Sequence, residues 1–351
     1  MNRRKFSKQI VTGLATVPLL GCGINSHHNI VTNDNILPLK IIKPRRLREG
    51  DTVGLIAPAS AFKDKAYQNT LKTLKTLGLK YIEAKNLHHK TGFLAGTDKE
   101  RIDDIHEMFA NPDVDAVWCI RGGYGTGRII PMLDYDLIKK NPKIIVGYSD
   151  ITSLLHAIFI KTGLVGFHGP TLGSTMNPYS LENIHNVLMK GAPKTKIEYF
   201  DPKSEDPLYA PYVIQSGKMT GQLSGGNLTL LASLAGTKFN WDATDKLAFI
   251  EDIGEKPYRI DRMLTQLRQS ANLDKAKGIL LGIFEDCPNK EGDDSWSLKE
   301  VLIDRLGDLG IPVFYGFSFG HILNKCTIPV GIEASFDTET RQLTLLESCV
   351  I

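Results

Sequence analysis

The sequence is poor in cysteine, lacks the common zinc motifs and has no hydrophobic run long enough to cross a bilayer. Its 351 residues include five cysteines, and none of them forms a Cys-x-x-Cys pair or another zinc-binding spacing. The pair His106-Glu107 is followed by Met108, Phe109 and Ala110, so the metalloprotease motif His-Glu-x-x-His is absent. We therefore expect neither a catalytic metal nor a cofactor.

The chain also lacks a large excess of positive or negative charge. The formal net charge is +3, and four of the 42 basic residues lie within residues 1–21, a segment that holds no acidic residue. Without that segment, 38 basic residues remain against 39 acidic ones. Such a balance excludes the basic surface that nucleic acid requires, so we expect no nucleic-acid partner. With 42% hydrophobic residues the chain can bury sizeable cores, and its length favours two domains.

The N-terminal segment resembles an export and lipidation signal. A hydrophobic stretch at residues 10–20 is too short to cross a bilayer but fits the core of a signal peptide. Arg3-Arg4, followed by Lys5-Phe6-Ser7-Lys8, resembles a twin-arginine signal, and Leu19-Leu20-Gly21-Cys22 resembles a lipobox. We predict a signal peptide at 1–21, a tether at 22–45 and a periplasmic protein anchored to a bacterial membrane through lipidated Cys22. The alternative is a cytoplasmic protein with a basic tail.

Strand and helix signals alternate in the first half of the chain. Apolar runs at residues 52–57, 116–120 and 143–146 predict buried strands, whereas 63–77 and 150–162 have helical periodicity. A further helix is predicted after the glycine-rich loop, through Leu133. This alternation predicts an α/β protein whose N-terminal domain, residues 46–180, has a Rossmann-like parallel sheet. Ligands of such sheets bind at the carboxyl ends of the strands.

A second domain is predicted after a connection rich in proline and polar residues. The periodicity lapses from about 175 to 215, and we place a linker at 181–215. Ser224-Gly225-Gly226-Asn227 predicts a glycine-rich turn before a helix through Leu234, a strand at 247–250 and a helix at 258–270. A hairpin is expected around residues 337–340. We predict a C-terminal domain, residues 216–351, with a mixed α/β fold and a β-rich core.

Two loops at predicted strand ends carry candidate chemistry. The loop at residues 122–127 matches a dinucleotide fingerprint only in part, because Arg128 stands where the third glycine belongs. Its N–H groups can bind a phosphate or a reaction oxyanion, although a tight turn explains the glycines equally well. Ser149, in Gly147-Tyr148-Ser149-Asp150, lies directly between a strand and a helix, as a nucleophile or as part of a helix cap.

A serine nucleophile needs a base, and the base needs a carboxylate to orient it. His156 lies two helical turns beyond the candidate serine and is expected to pack in the core. His168 and His321 both lie beside glycines at predicted strand ends, and their spacing does not separate them. Glu251-Asp252 ends a buried strand and supplies the candidate carboxylate, with a solvated turn as the alternative.

Several short motifs occur in order from about residue 46 to the end of the chain. Together they resemble the LD-carboxypeptidases, the murein tetrapeptide carboxypeptidase family of serine peptidases. The resemblance implies a triad of Ser149, His321 and Glu251. The motifs are Phe93-Leu94-Ala95-Gly96-Thr97, Arg121-Gly122-Gly123-Tyr124-Gly125, Gly147-Tyr148-Ser149-Asp150-Ile151-Thr152, Phe167-His168-Gly169-Pro170, Ser224-Gly225-Gly226-Asn227-Leu228, Glu251-Asp252 with Tyr258-Arg259-Ile260-Asp261-Arg262, and Gly320-His321.

The resemblance also implies a reaction and a substrate. The serine would attack the bond between meso-diaminopimelate and D-alanine of murein tetrapeptide and form an acyl-enzyme. A homodimer is a further expectation. The oxyanion would be held by the backbone N–H groups of Gly122, Gly123 and Asp150, and the candidate substrate-binding residues are Arg121, Tyr124 and His168.

Two other functions compete with this one. Relatives resembling the microcin-immunity peptidases hydrolyse peptidyl-adenylates, and Trp296 is a candidate for stacking on an adenine. A lipoprotein that binds murein without catalysis would keep its function in Ser149→Ala. Members of the family that recycle murein peptides are typically cytoplasmic, so the predicted export signal bears on the physiological substrate.

Overall fold

The computed structural model describes residues 39–204, 206–287 and 295–351, and the predicted signal peptide, Cys22 and most of the predicted tether lie outside them. The helices are α1 (Asp64–Thr76), α2 (Asp98–Ala110), α3 (Thr126–Ile129), α4 (Tyr135–Lys140), α5 (Ile151–Thr162), α6 (Pro178–Ile184), α7 (Leu228–Ser233), α8 (Pro257–Ser270) and α9 (Leu298–Leu306). The strands are β1 (Thr52–Ile56), β2 (Lys80–Glu83), β3 (Ala116–Cys119), β4 (Ile144–Gly147), β5 (Gly166–His168), β6 (Thr195–Ile197), β7 (Tyr212–Gln215), β8 (Lys218–Asn227), β9 (Lys246–Ile253), β10 (Gly278–Glu285), β11 (Val313–Gly320), β12 (Ile328–Val330), β13 (Glu333–Asp337) and β14 (Gln342–Leu345).

The first sheet has six strands in the order β12-β5-β4-β3-β1-β2, and all neighbours are parallel except β12 and β5. Every residue of β3 and β4 is buried. Helices cover both faces of such a sheet, which explains why these strands are continuous apolar runs without alternation. The predicted Rossmann-like parallel sheet is confirmed.

The second sheet has eight strands in the order β6-β14-β13-β8-β9-β10-β11-β7. Its centre, β8 to β11, is parallel, whereas the strands on either side pair antiparallel. The predicted mixed, β-rich second half and the hairpin between β13 and β14 are confirmed. Buried side chains of both sheets, including Phe167 and Phe249, belong to one hydrophobic cluster, so the two sheets share a core.

Three local predictions differ from the structure. The connection at 175–215 contains α6, β6 and β7, although it lacks clear periodicity. The helix expected through Leu133 ends at Ile129, where Pro131 imposes a 3-10 turn over Ile130–Met132. Ser224-Gly225-Gly226-Asn227 is the end of β8, not a turn. An added Cβ on Gly226 would lie 2.5 Å from the Thr152 side chain, so this glycine permits a close approach of α5 to β8.

Both ends of the described region are tied to the segment around β5. Strand β12, from the second half of the sequence, pairs with β5 and completes an edge of the first sheet. At the other end, Ile42 donates its N–H to Gly163 (2.8 Å) and accepts from Val165 (2.9 Å), so the last residues of the predicted tether belong to the fold. No helix of the described ranges has the length and apolarity of a membrane span.

Candidate active site

Ser149 lies on the sharp turn between β4 and α5. Its φ is +63°, in the left-handed region that a non-glycine residue adopts only at a cost. The turn is held by α5, because Thr152 donates its N–H to the Ser149 carbonyl at 2.9 Å. Such a strained strand-to-helix turn is typical of nucleophile elbows, which raise the serine hydroxyl above the carboxyl edge of the sheet.

Glu251 and His321 meet across the second sheet. Nδ1 of His321 lies 2.8 Å from Oε2 of Glu251, whose side chain is fully buried. Burial by itself would raise the pKa of Glu251, but the adjacent His321 imidazole and its hydrogen bond hold that pKa below the ordinary value. The ionised carboxylate accepts the hydrogen bond, so Nδ1 of His321 carries a hydrogen and Nε2 is the ring nitrogen left for proton transfer.

A cavity of about 550 Å³ brings these elements together, since Ser149 and His321 both line it. Gly122 and Gly123 contribute to the same wall. The cavity is positively charged, because Lys63, Lys65 and Arg121 line it and no acidic residue of the described chain does. Arg121 also donates from Nη1 to the Ala61 carbonyl (2.9 Å), which fixes its side chain at the rim.

The glycine-rich loop lies directly against the serine. An added Cβ on Gly122 would come within 3.0 Å of the Ser149 Cβ, so a larger residue here would push the serine turn and the loop apart by a few tenths of an ångström. Ser60 holds the loop, accepting the Tyr124 N–H at 3.1 Å and donating its own N–H to the Gly122 carbonyl at 3.3 Å. Within the described ranges, the N–H groups of Gly122 and Gly123 donate to no protein acceptor.

Asp150 connects this loop to the serine turn. Its buried carboxylate accepts the Thr126 N–H (2.8 Å), and its carbonyl accepts the Thr126 hydroxyl (2.6 Å). Burial raises the pKa of Asp150 above its ordinary value. The side chain therefore links the two loops and does not cap α5. The Asp150 N–H, like those of Gly122 and Gly123, has no acceptor among the residues that the structure describes.

Two other sequence candidates do not reach the cavity wall. Tyr124 is exposed and packs edge-to-face on Phe93, with ring centroids 5.6 Å apart. His168 is 2% exposed and packs against Phe249 at 5.4 Å. Neither ring nitrogen of His168 has a partner in the described chain, and burial lowers its pKa to about 4. His168 is therefore a neutral residue behind the site, and the structure does not bring it to the cavity surface as a substrate contact would require.

Tyr148 and Lys325 form a support that the sequence analysis did not identify. The Tyr148 ring packs on His321 with centroids 4.8 Å apart, and Lys325 donates from Nζ to the Tyr148 hydroxyl at 3.2 Å. Lys325 is 6% exposed, and its Nζ also lies 4.6 Å from the centre of the tyrosine ring. The only available signal was the position of Tyr148 beside the candidate serine.

Other reactive groups in the described chain lie away from this arrangement. The thiols of Cys119, Cys287, Cys326 and Cys349 are free and buried, and burial raises the pKa of each. The described residues contain no group of three or more His, Cys, Asp or Glu side chains that could hold a metal ion. Trp296 is exposed and lines neither the cavity at Ser149 nor the other described cavities.

Comparison with known proteins identifies the family. Residues 53–169 match the LD-carboxypeptidase N-terminal domain, and residues 220–336 match the LD-carboxypeptidase C-terminal domain. The chain is 44% identical over 296 residues to the probable murein peptide carboxypeptidase of Bacillus subtilis, covering 84% of this chain and 92% of the relative. It is 31% identical over 330 residues to the microcin C7 self-immunity protein MccF of Escherichia coli, covering 86% and 94%.

The fold has the same relatives. The crystal structure of muramoyltetrapeptide carboxypeptidase from Oxalobacter formigenes aligns with a TM-score of 0.72 and 32% identity, covering 84% of this chain and 97% of that one. The two family models thus match the two halves of the sequence, and a solved carboxypeptidase structure matches the fold over most of the chain. The chain belongs to the LD-carboxypeptidase family and is a serine-type peptidase of the carboxypeptidase class.

Proposed function

We propose that the chain releases D-alanine from murein tetrapeptide by hydrolysing the LD bond after meso-diaminopimelate, with Ser149, His321 and Glu251 as its triad. One observation carries the proposal: the Glu251–His321 pair and the strained Ser149 turn come from different sheets and meet at one cavity. The carboxypeptidase relatives, one of them named for murein peptides, support the substrate class.

The proposed reaction follows from the hydrogen-bond roles. Nε2 of His321 takes the proton of the Ser149 hydroxyl as its oxygen attacks the scissile carbonyl, and ionised Glu251 stabilises the imidazolium. The imidazolium then protonates the leaving amine, so D-alanine departs and an ester to Ser149 remains. Water, deprotonated by His321, hydrolyses that ester and restores the serine hydroxyl.

The oxyanion would be stabilised by N–H groups that are otherwise unused. Those of Gly122, Gly123 and Asp150 border Ser149 and have no acceptor in the described chain. A preorganised donor of this kind contributes about 10²–10³-fold to the rate. We propose that the oxyanion accepts hydrogen bonds from N–H groups of this set.

The positive wall of the cavity suits a carboxypeptidase. Its substrate ends in a free carboxylate, and Lys63, Lys65 and Arg121 are the cations that line the cavity. Lys63 and Lys65 are exposed and form no ion pair with an acidic side chain of the described chain. We propose that this wall attracts the terminal carboxylate, with Arg121 at its rim.

Export to the periplasm, lipidation of Cys22, membrane attachment and a homodimer remain proposals from the sequence alone. The lipid anchor would bring the enzyme to murein or to peptides released from it. Mass measurement of Cys22 in membranes of a producing bacterium tests this point, because a diacylated N-terminal cysteine is expected and an unmodified soluble chain contradicts it.

Hydrolysis of peptidyl-adenylates is the second candidate function, favoured by the likeness to MccF. Trp296, the residue expected to stack on an adenine, lines none of the described cavities. A non-catalytic murein-binding protein is the third candidate, and its binding of murein would not require the hydroxyl of Ser149.

The test is incubation of the full chain with L-Ala-γ-D-Glu-meso-Dap-D-Ala, with released D-alanine measured by mass spectrometry. We expect release that is abolished in Ser149→Ala and retained in Ser233→Ala, which removes the hydroxyl of an exposed serine on α7. No release by a folded chain would refute the tetrapeptide assignment, and hydrolysis of an adenylated peptide would then establish the second candidate.

A further inference from the structure

A second cavity, of about 260 Å³, borders His321. Because the proposed base belongs to both cavities, a group bound in the second one lies next to the reacting bond. Apolar side chains form much of its wall, and its polar side chains include one carboxylate and one amide. The apolar residues are Phe200, Pro202, Ile283, Ile322 and Leu323, and the polar ones include Glu285 and Asn324.

Among the Asp, Glu, Lys and Arg residues of the described ranges, Glu285 is the only one that lines this cavity. It ends β10, and the Tyr209 hydroxyl lies 2.7 and 2.6 Å from its two oxygens. Burial, together with the carboxylate, raises the pKa of Tyr209, so the phenol remains a hydrogen-bond donor. The carboxylate is thus held in one orientation.

This carboxylate has no cationic partner in the chain that the structure describes: the salt bridges found there do not include Glu285. An ionised carboxylate accepts about four hydrogen bonds, and the Tyr209 hydroxyl supplies one hydrogen. A half-buried anion with spare acceptor capacity, surrounded by apolar side chains, is complementary to an ammonium group on an aliphatic stem.

The two cavities at His321 therefore differ in charge. The first is lined by Lys63, Lys65 and Arg121, and the second by Glu285. A substrate that fits both needs a carboxylate for the first and a cation for the second. The terminal residue of murein tetrapeptide supplies the carboxylate, and the free amino group of its diamino acid supplies the cation.

We propose that the second cavity is the specificity subsite for the side chain of the diamino acid, and that Glu285 binds its free ammonium group. The inference rests on the proposed function and adds a residue that determines the substrate class. The aliphatic stem packs on Ile283 and Leu323. Asn324 accepts through its Oδ1 a hydrogen bond from Asn177, so its own amide N–H group is left to donate to the carboxylate beside that ammonium.

Selectivity follows from the cost of leaving the carboxylate unpaired. A residue with a neutral side chain would bury Glu285 without a counter-charge, and sites built for a polar group reject analogues that lack it. Loss of a hydrogen bond to a charged group costs at least tenfold in kcat/KM. Glu285 therefore discriminates between diamino acids and their neutral analogues.

The experiment compares three tetrapeptides that differ only in the third residue: meso-diaminopimelate, L-lysine and L-norleucine. With the full chain, we expect kcat/KM for the two ammonium-bearing peptides to exceed that for the norleucine peptide by at least tenfold. Glu285→Gln should lower kcat/KM at least tenfold for those two and leave the norleucine peptide within twofold. Tyr209→Phe frees the carboxylate without removing its charge. It should lower kcat/KM for the two ammonium-bearing peptides by less than Glu285→Gln does, and it should leave the norleucine peptide unaffected.

The matched control is Glu182→Gln, which removes one negative charge from the exposed face of α6 and should change none of the three values. Equal losses on all three peptides in Glu285→Gln, or no loss on any, would overturn the subsite while leaving the proposed function intact. If the parent chain releases D-alanine from none of the peptides, the proposed function fails, and the subsite falls with it.

Discussion

Replacing Gly122 with alanine is expected to displace Ser149, the proposed nucleophile, and to slow the reaction, although the serine keeps its hydroxyl. The added Cβ would lie 3.0 Å from the Cβ of Ser149, 3.3 Å from its Oγ and 3.0 Å from the Tyr148 carbonyl oxygen. Contacts at these distances are tighter than ordinary van der Waals contact, so the neighbouring loop must give way by a few tenths of an ångström. Ser149 cannot give way freely, because its φ of +63° is set by the turn into α5.

A displacement of about 1 Å at a reacting group costs on the order of 10²-fold in rate, so a shift of a few tenths of an ångström should cost several-fold. The Gly122 N–H, a proposed oxyanion donor, moves with the same loop and adds to the loss. Overpacking should also lower the free energy of unfolding by about 1–3 kcal/mol. The prediction is a decrease of roughly tenfold in D-alanine release, in a chain that still folds.

Gly127→Ala is the matched control in the same segment. An added Cβ there meets nothing within 4 Å, and the residue is exposed in α3. Alanine in a helix is more stable than glycine by about 0.5–1 kcal/mol, so this variant should be fully active and slightly more stable. Steady-state release of D-alanine and urea unfolding measure both quantities. Full activity in Gly122→Ala, or equal inactivation by Gly127→Ala, would refute the steric argument.

Two further predictions concern charge. Glu251→Gln should lower kcat about 10³–10⁴-fold, because a neutral amide does not stabilise protonated His321. Asp252→Asn is the control for this variant. A similar loss of kcat in Asp252→Asn would contradict the assignment of Glu251. Acid should destabilise the fold through His156, since burial lowers its pKa to about 4 against about 6.5 in the unfolded chain. The unfolded state then binds more protons, so this contribution is complete above pH 6.5 and falls by about 3 kcal/mol by pH 4. Between pH 6.5 and pH 4, the free energy of unfolding in urea should fall by about 3 kcal/mol more in the parent than in His156→Leu. The same fall in both proteins would contradict this role of His156.

The sequence predicted the first sheet well because burial on both faces produces an unmistakable pattern. Strands such as Ala116–Cys119 and Ile144–Gly147 are uninterrupted apolar runs, each followed by a loop and a helix. The serine turn could be located for the same reason. A loop directly between such a strand and α5 has one place to lie, at the carboxyl edge of the sheet.

The glycines of the second half were harder to interpret. Gly225 and Gly226 indicate a turn by local rules, yet they belong to β8, with φ values of +152° and +142°. Gly226 is required by the approach of α5, whose Thr152 hydroxyl also accepts the Asn227 N–H at 3.0 Å, whereas a Cβ on Gly225 would collide with the backbone of Phe249 on β9. Local sequence does not distinguish a glycine needed for a turn from one needed for a close tertiary contact.

The choice of base could not be made from spacing either. His168 and His321 have similar flanking residues, but 70 positions separate His321 from Glu251. Their meeting depends on β9 and β11 both pairing with β10, which is a property of the sheet. The resemblance to the family supplied His321, and the contact with Glu251 now supports it on physical grounds. Neither spacing nor the resemblance pointed to Lys325, whose contact with Tyr148 spans 177 positions.

The strand Ile328–Val330 limits how these proteins can be recombined. It places Ile328 opposite His168, so an edge of the first sheet is built by the last part of the chain. A chimera joined between residues 181 and 215 would pair β5 of one parent with β12 of the other. The two halves of this enzyme therefore cannot be exchanged independently, and a hybrid would need compatible hydrogen bonding at this short antiparallel contact as well as compatible packing in the shared core.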